Sequence, residues 1–138
     1  GSYYYEALKN TLVDRLPANV VLLPFLQRMD YAYAAADFVV SRAGAGTISE
    51  LCAVGKPVIL VPSPNVAEDH QTKNAKALVS KDAAILVSDI SARTNLVDTI
   101  ISLANDEAKC FELSEQISKL AMLDADETIA KEVLKLIR

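Results

Sequence analysis

The apolar run Phe38-Val39-Val40 enters Ser41-Arg42-Ala43-Gly44-Ala45-Gly46-Thr47, and a helix-period pattern, Ile48, Leu51 and Cys52, leads out. Few folds accept that order of a buried strand, a small-residue turn and the first turn of a helix. A helix entered in this way starts with backbone N–H groups that have no intrahelical acceptor, and its dipole adds partial positive charge there. Such a turn is a seat for phosphate. Gly44 and Gly46 let a ligand come close to the backbone. Glycines also close tight strand–helix connections for structural reasons, and spacing alone leaves both readings open. The G-x-G-x-x-G dinucleotide pattern is excluded because no third glycine stands at the required offset, and no Walker lysine follows.

The rest of the chain repeats the alternation. Helices are predicted over residues 3–16 (stopped by Pro17), 29–36 and 47–54 (ended by Gly55), and over 66–80 with Asn65 as cap. Three more are predicted over 92–104, 106–122 and 126–137. Strands are predicted over 19–25, 37–41, 57–62 and 83–87. Strands alternating with helices indicate a Rossmann-like α/β fold, a parallel sheet with helices on both faces. Runs as apolar as Val20-Val21-Leu22-Leu23 and Val58-Ile59-Leu60-Val61 suit strands covered on both sides. Ligands of such sheets sit beyond the carboxyl ends of the strands. That rim is expected to gather Phe25-Leu26-Gln27, the 42–47 turn and the 62–71 loop.

A length of 138 residues allows one domain with one core, and the whole chain is read as a single domain. With 51% apolar and 23% charged residues, disorder is not expected. A net charge of −4 argues against nucleic acid as a partner held by bulk charge, but one helix terminus can hold an anion without a basic surface. Cys52 and Cys110 lie in apolar helical patterns and read as buried thiols, with no disulfide or metal spacing. No stretch approaches the length of a membrane span. His70 is the single histidine, so neither a Ser-His-Asp triad nor a two-histidine metal site is expected.

Several residues carry competing roles. Thr47 and Glu50 stand in capping-box spacing, yet a carboxylate also suits the adjacent hydroxyls of a ribose. Gln71, with His70 beside it, is a solvated polar residue or a reader of hexose hydroxyls, since an amide both donates and accepts. Leu26 and Met29 are core residues or neighbours of a planar base. Arg42 faces phosphate or pairs with a carboxylate, and the structural role has the edge.

Taken together, residues 19–26, Met29, Ala35-Ala36-Asp37, residues 41–51, residues 55–62 and Asp69-His70-Gln71-Thr72-Lys73-Asn74-Ala75 closely resemble the C-terminal domain of the MurG family. Members of that family add N-acetylglucosamine (GlcNAc) to the undecaprenyl-pyrophosphoryl-muramoyl-pentapeptide of peptidoglycan synthesis, at the cytoplasmic side of the bacterial inner membrane. The resemblance implies the C-terminal half of a GT-B glycosyltransferase that binds UDP-GlcNAc and uses no metal or cofactor. It implies that the Leu26 backbone contacts uracil and Met29 closes the base pocket. It implies a donor-binding stretch of Gly44, Ala45, Gly46, Thr47, Ile48, Ser49 and Glu50. Within it Ala45, Gly46 and Thr47 hold the diphosphate and Glu50 binds the ribose diol. Gln71 and His70 then contact the sugar. A dolichol-linked GlcNAc transferase subunit of eukaryotic type and a non-catalytic anion-binding module are the alternatives.

The resemblance also implies that the acceptor domain, the catalytic base and the first two strands of this domain lie outside the chain. No catalytic residue is therefore expected within it, and no transferase activity from it alone. Those two strands would lie between residues 19–25 and 37–41 in a doubly wound sheet, so the gap is expected to close by direct pairing or by dimerisation.

Overall fold

The computed structural model describes residues 2–12, 14–64 and 70–123. The chain divides into two compact units, Gly1–Ala35 and Ala36–Arg138. The helix predicted over 126–137 and the Asn65 cap lie outside the described residues.

The first unit holds α1 (Ser2–Leu12) and α2 (Met29–Ala35). Helix α1 stops earlier than predicted. The Leu12 carbonyl accepts from both Arg15 N–H (2.8 Å) and Leu16 N–H (3.2 Å), which tightens the last turn. A residue before proline is pushed out of helical geometry, and Leu16 precedes Pro17.

The strand predicted over 19–25 does not form. Val20 N–H bonds back to the Pro17 carbonyl at 3.0 Å, and the chain then runs on without regular structure. Val21 is 77% exposed and Phe25 76%. An apolar run becomes a strand only where a neighbouring strand takes up its N–H and C=O groups, and none is present among the described residues of this unit.

Ahead of α2, Arg28 grips Asp30 with two hydrogen bonds (3.0 and 2.7 Å), and its guanidinium lies 3.8 Å from the centre of the Tyr31 ring. The Arg28 hydrogen bond, joined by its charge and by backbone donors against the opposing effect of desolvation, holds the Asp30 carboxyl at about 2. A depressed carboxyl stabilises the fold above its ordinary pKa, and that contribution fades as pH falls from about 4 toward 2. A carboxyl-carbon NMR titration is expected to give Asp30 a midpoint near 2, and Arg28→Ala to return it to about 4.

The second unit is built on a parallel sheet of β1 (Val39–Ser41), β2 (Val58–Leu60) and β3 (Ile85–Leu86), in that order. Val39 pairs with Val58, Ser41 with Leu60, and Ile59 with Ile85. Bonds from Val61 N–H to Ser41 O and from Val87 N–H to Leu60 O, both 2.9 Å, carry the ladder one residue beyond β2 and β3. Strand β1 is an edge whose neighbour is β2. The gap expected beside it is therefore not closed by residues 19–25, which form no strand.

Around the sheet run α3 (Ala45–Val54), α4 (His70–Val79), α5 (Asp89–Ala104) and α6 (Glu107–Leu123). All three residues of β2 are fully buried. Successive strand residues point to opposite faces, so both faces are covered, as the α/β reading requires. On one face Ile59, Val61 and Val87 pack with Leu103 of α5 and Leu113 of α6. Within α6, Leu113, Ile117 and Leu120 recur at helical spacing and are all buried.

Helix ends explain most boundary differences. Helix α5 starts three residues before the predicted 92 because Ser88 caps it, accepting from Ser91 N–H at 3.4 Å, with Asp89 in the first turn. Asp106 caps α6 by accepting from Lys109 N–H at 3.0 Å. Helix α4 closes in a Schellman turn: Asp82 N–H bonds Val79 O and Ala83 N–H bonds Leu78 O, with Asp82 left-handed at φ 56°. Gly55 ends α3 at φ 74°, and its carbonyl accepts from Ser114 Oγ of α6. Cys52 is buried and Cys110 half-buried. Burial first, then Asp106, Asp37 and Glu107, push the Cys110 thiol up, and it donates to Leu103 O at 3.3 Å.

Candidate functional site

Strands β1 and β2 end side by side, and the next residues of each form the site. Beyond β1 the chain turns at Arg42-Ala43-Gly44 and enters α3 at Ala45. Gly44 is the N-cap, with φ −62° and ψ 149°, and no side chain caps the helix. The first intrahelical bond runs from Ile48 N–H to Gly44 O at 2.9 Å. The N–H groups of Ala45, Gly46 and Thr47 precede it and have no intrahelical acceptor. This helix terminus comes two residues earlier than the helix start predicted from the sequence.

That earlier start removes the capping-box reading of Thr47 and Glu50. With Gly44 at the cap, Thr47 is the third helical residue and Glu50 the sixth, so neither can close a box across the first turn. Glu50 is exposed on the first turns of α3, Ile48 is half-buried, and Ser49 donates to the Ala45 carbonyl at 3.2 Å.

Helix α4 brings Gln71 against the turn. Its Oε1 accepts from Ala43 N–H (3.2 Å) and from Ser63 N–H (2.8 Å), joining the exits of β1 and β2. A Cβ built on Gly44 would lie 3.8 Å from Gln71 Nε2 and 3.9 Å from Thr47 Oγ1. The space in front of Gly44 is therefore flanked by an amide and a hydroxyl. His70, beside Gln71 at the start of α4, is exposed.

Arg42 takes the structural role. Its Nη1 lies 2.6 Å from Asp89 Oδ1 and reaches the carbonyls of Val61 (3.3 Å) and Pro62 (3.4 Å). The guanidinium thus ties the exit of β1 to the exit of β2 and the start of α5. Of the three rim segments expected from the sequence, the 42–47 turn and residues 62–64 follow the ends of β1 and β2. Phe25-Leu26-Gln27 does not, because no strand precedes it. Leu26 (42% exposed) and Met29 (38% exposed, the first residue of α2) belong to the other compact unit.

Sequence reasoning missed Asn74, whose Nδ2 donates to the Ala43 carbonyl at 3.2 Å. The available signal was its spacing of three residues from Gln71, which puts both on one helix face. It also missed Asp89 as the partner of Arg42, a pairing across 47 residues that no local pattern reveals. Among the described residues no group of three His, Cys, Asp or Glu side chains can hold a metal ion. No described helix is long and apolar enough to cross a membrane.

Residues 1–129 match the model of the glycosyltransferase family 28 C-terminal domain. The chain belongs to this family. Family 28 relatives at high identity include a protein of Parabacteroides distasonis, 50% identical over 137 residues, which cover 99% of this chain and 37% of the relative. Another, from Bacteroides fragilis, is 57% identical over 138 residues, covering 99% and 36%. Both are named UDP-N-acetylglucosamine–N-acetylmuramyl-(pentapeptide) pyrophosphoryl-undecaprenol N-acetylglucosamine transferase. The crystal structure of Acinetobacter baumannii MurG superposes with a TM-score of 0.76 at 28% identity, over 98% of this chain and 41% of that one. The chain thus spans just over a third of the length of these curated relatives.

Proposed function

We propose that this chain is the donor-binding part of an inverting GlcNAc transferase of peptidoglycan synthesis and holds UDP-GlcNAc at the 44–50 turn. The observation that carries this reading is Gly44. Its φ of −62° suits any residue, and a Cβ there would meet nothing closer than 3.8 Å. Neither backbone conformation nor crowding calls for glycine. Close approach of a ligand to the helix terminus does.

In this reading the diphosphate lies on the N–H groups of Ala45, Gly46 and Thr47, with the Thr47 hydroxyl beside it. The Glu50 carboxylate accepts from the two ribose hydroxyls, and Gln71 and His70 face the sugar. In the transfer, an acceptor hydroxyl attacks the anomeric carbon from the side opposite the diphosphate. The bond from that carbon to the phosphate oxygen breaks, and UDP departs with the electron pair. The negative charge gathering on the diphosphate is met by fixed N–H dipoles, which need no reorganisation during the step. A base in the acceptor-binding part of the complete enzyme takes the hydroxyl proton. The names of the relatives support a lipid-linked muramoyl-pentapeptide as acceptor, and such an acceptor calls for a peripheral place at the membrane.

Calorimetric titration of the complete enzyme tests the assignment. UDP-GlcNAc is expected to bind more tightly than UDP-GalNAc. Glu50→Ala is expected to weaken UDP-GlcNAc by roughly 10- to 100-fold, the loss of charge-assisted hydrogen bonds to a diol. Equal affinity in the parent and in Glu50→Ala would rule out the diol contact.

A further inference from the structure

Helix α4 holds both polar groups of a single residue. Ala43 is fully buried immediately before the Gly44 cap. Its N–H donates to Gln71 Oε1 at 3.2 Å, and its carbonyl accepts from Asn74 Nδ2 at 3.2 Å. The two side chains stand three residues apart on α4, on the face that meets the turn. Each bond fixes a different peptide plane. Gln71 sets the plane between Arg42 and Ala43. Asn74 sets the plane between Ala43 and Gly44, because the Ala43 carbonyl and the Gly44 N–H belong to one rigid trans amide and point in opposite directions. Whatever turns the carbonyl toward Asn74 turns the Gly44 N–H away from it.

We propose that Asn74 is a positioning residue for the phosphate seat: by holding the Ala43 carbonyl it aims the Gly44 N–H, and the helix terminus behind it, at the diphosphate. This rests on the donor-binding reading and adds to it a residue that touches no ligand. On the same face of α4, Gln71 Oε1 accepts from Ala43 N–H and Ser63 N–H, so the turn is held on both sides of Ala43.

The test compares UDP with uridine, both titrated calorimetrically into the complete enzyme, for the parent, Asn74→Ala and Asn74→Asp. Aspartate keeps the shape of the side chain but has no N–H to give the Ala43 carbonyl. Both variants are expected to weaken UDP about 5- to 20-fold, the worth of one misaimed charge-assisted hydrogen bond, and to change uridine less than twofold. UDP affinity equal to the parent in both variants would overturn the proposal, as would an equal loss for uridine and UDP, which marks a general loosening of the fold.

Backbone NMR on the unliganded protein provides an arm that needs no ligand. The Gly44 amide shares its peptide with the Ala43 carbonyl that Asn74 holds, so its 15N resonance is expected to shift in both variants, and an unchanged resonance also overturns the brace. If the resonance responds but the parent binds no UDP, the donor-site reading itself has failed, and the proposed role in aiming a phosphate donor is overturned with it.

Discussion

Gly44→Ala is expected to weaken UDP and UDP-GlcNAc on the order of 100-fold while leaving the folded domain intact. The added methyl is conformationally free, because φ −62° and ψ 149° lie in the extended region open to any residue. It is sterically free as well, with its nearest neighbours, Gln71 Nε2 and Thr47 Oγ1, at 3.8 and 3.9 Å. At an N-cap position alanine costs a few tenths to about 1 kcal/mol relative to glycine, and the stiffer unfolded chain returns a similar amount. Stability should therefore stay within about 1 kcal/mol of the parent. A ligand meets a different surface, because the methyl fills the space between the amide and the hydroxyl in front of the helix terminus. A phosphate pushed back from the N–H groups loses one charge-assisted hydrogen bond, worth about 1.5–3 kcal/mol. Thermal melting and calorimetry on the same preparation check the two halves of this result. Unchanged affinity would mean that the ligand does not approach the backbone at Gly44.

Ile59→Ala is expected to destabilise the chain by about 3–5 kcal/mol, read as a shifted urea midpoint at constant slope. Ile59 lies at the centre of the sheet, fully buried, with Val61, Val87, Leu103 and Leu113 around it and Phe38, Ile85 and Leu96 packed against that cluster. Strand pairing on both sides holds β2 in place, so the cavity cannot collapse and the cost lies at the upper end for such truncations. A domain of this size holds only about 5–15 kcal/mol in total, so the variant should be marginal near body temperature. Ile90→Ala is the matched control: the same atoms are removed from a side chain that is 93% exposed, and the change should stay within about 0.5 kcal/mol. A similar loss in both variants would place the core elsewhere.

The match between sequence and structure follows how local each signal is. Val58-Ile59-Leu60 reads as a strand covered on both sides, and it is one, because four consecutive apolar residues bounded by Pro57 and Pro62 carry their own burial pattern. Gly55 reads as a helix stop and sits left-handed at φ 74°. Helix α3 starts two residues early because Gly44 caps it through its backbone, a role with no side-chain signature. Residues 19–25 are as apolar as β2 and form no strand, since strand formation is settled by a partner and not by composition.

The sequence by itself determined the α/β class, the parallel sheet, and the passage from strand through a small-residue turn into a helix at residues 41–47, because these rest on periodicity and on residues adjacent in the chain. Only the tertiary structure decided that Gln71 and Asn74 grip Ala43 across 28 and 31 residues, and that Arg42 is occupied by Asp89. Those bonds depend on where α4 and α5 come to lie on the sheet. That placement is set by side-chain packing over the whole second unit, and no short stretch of sequence encodes it.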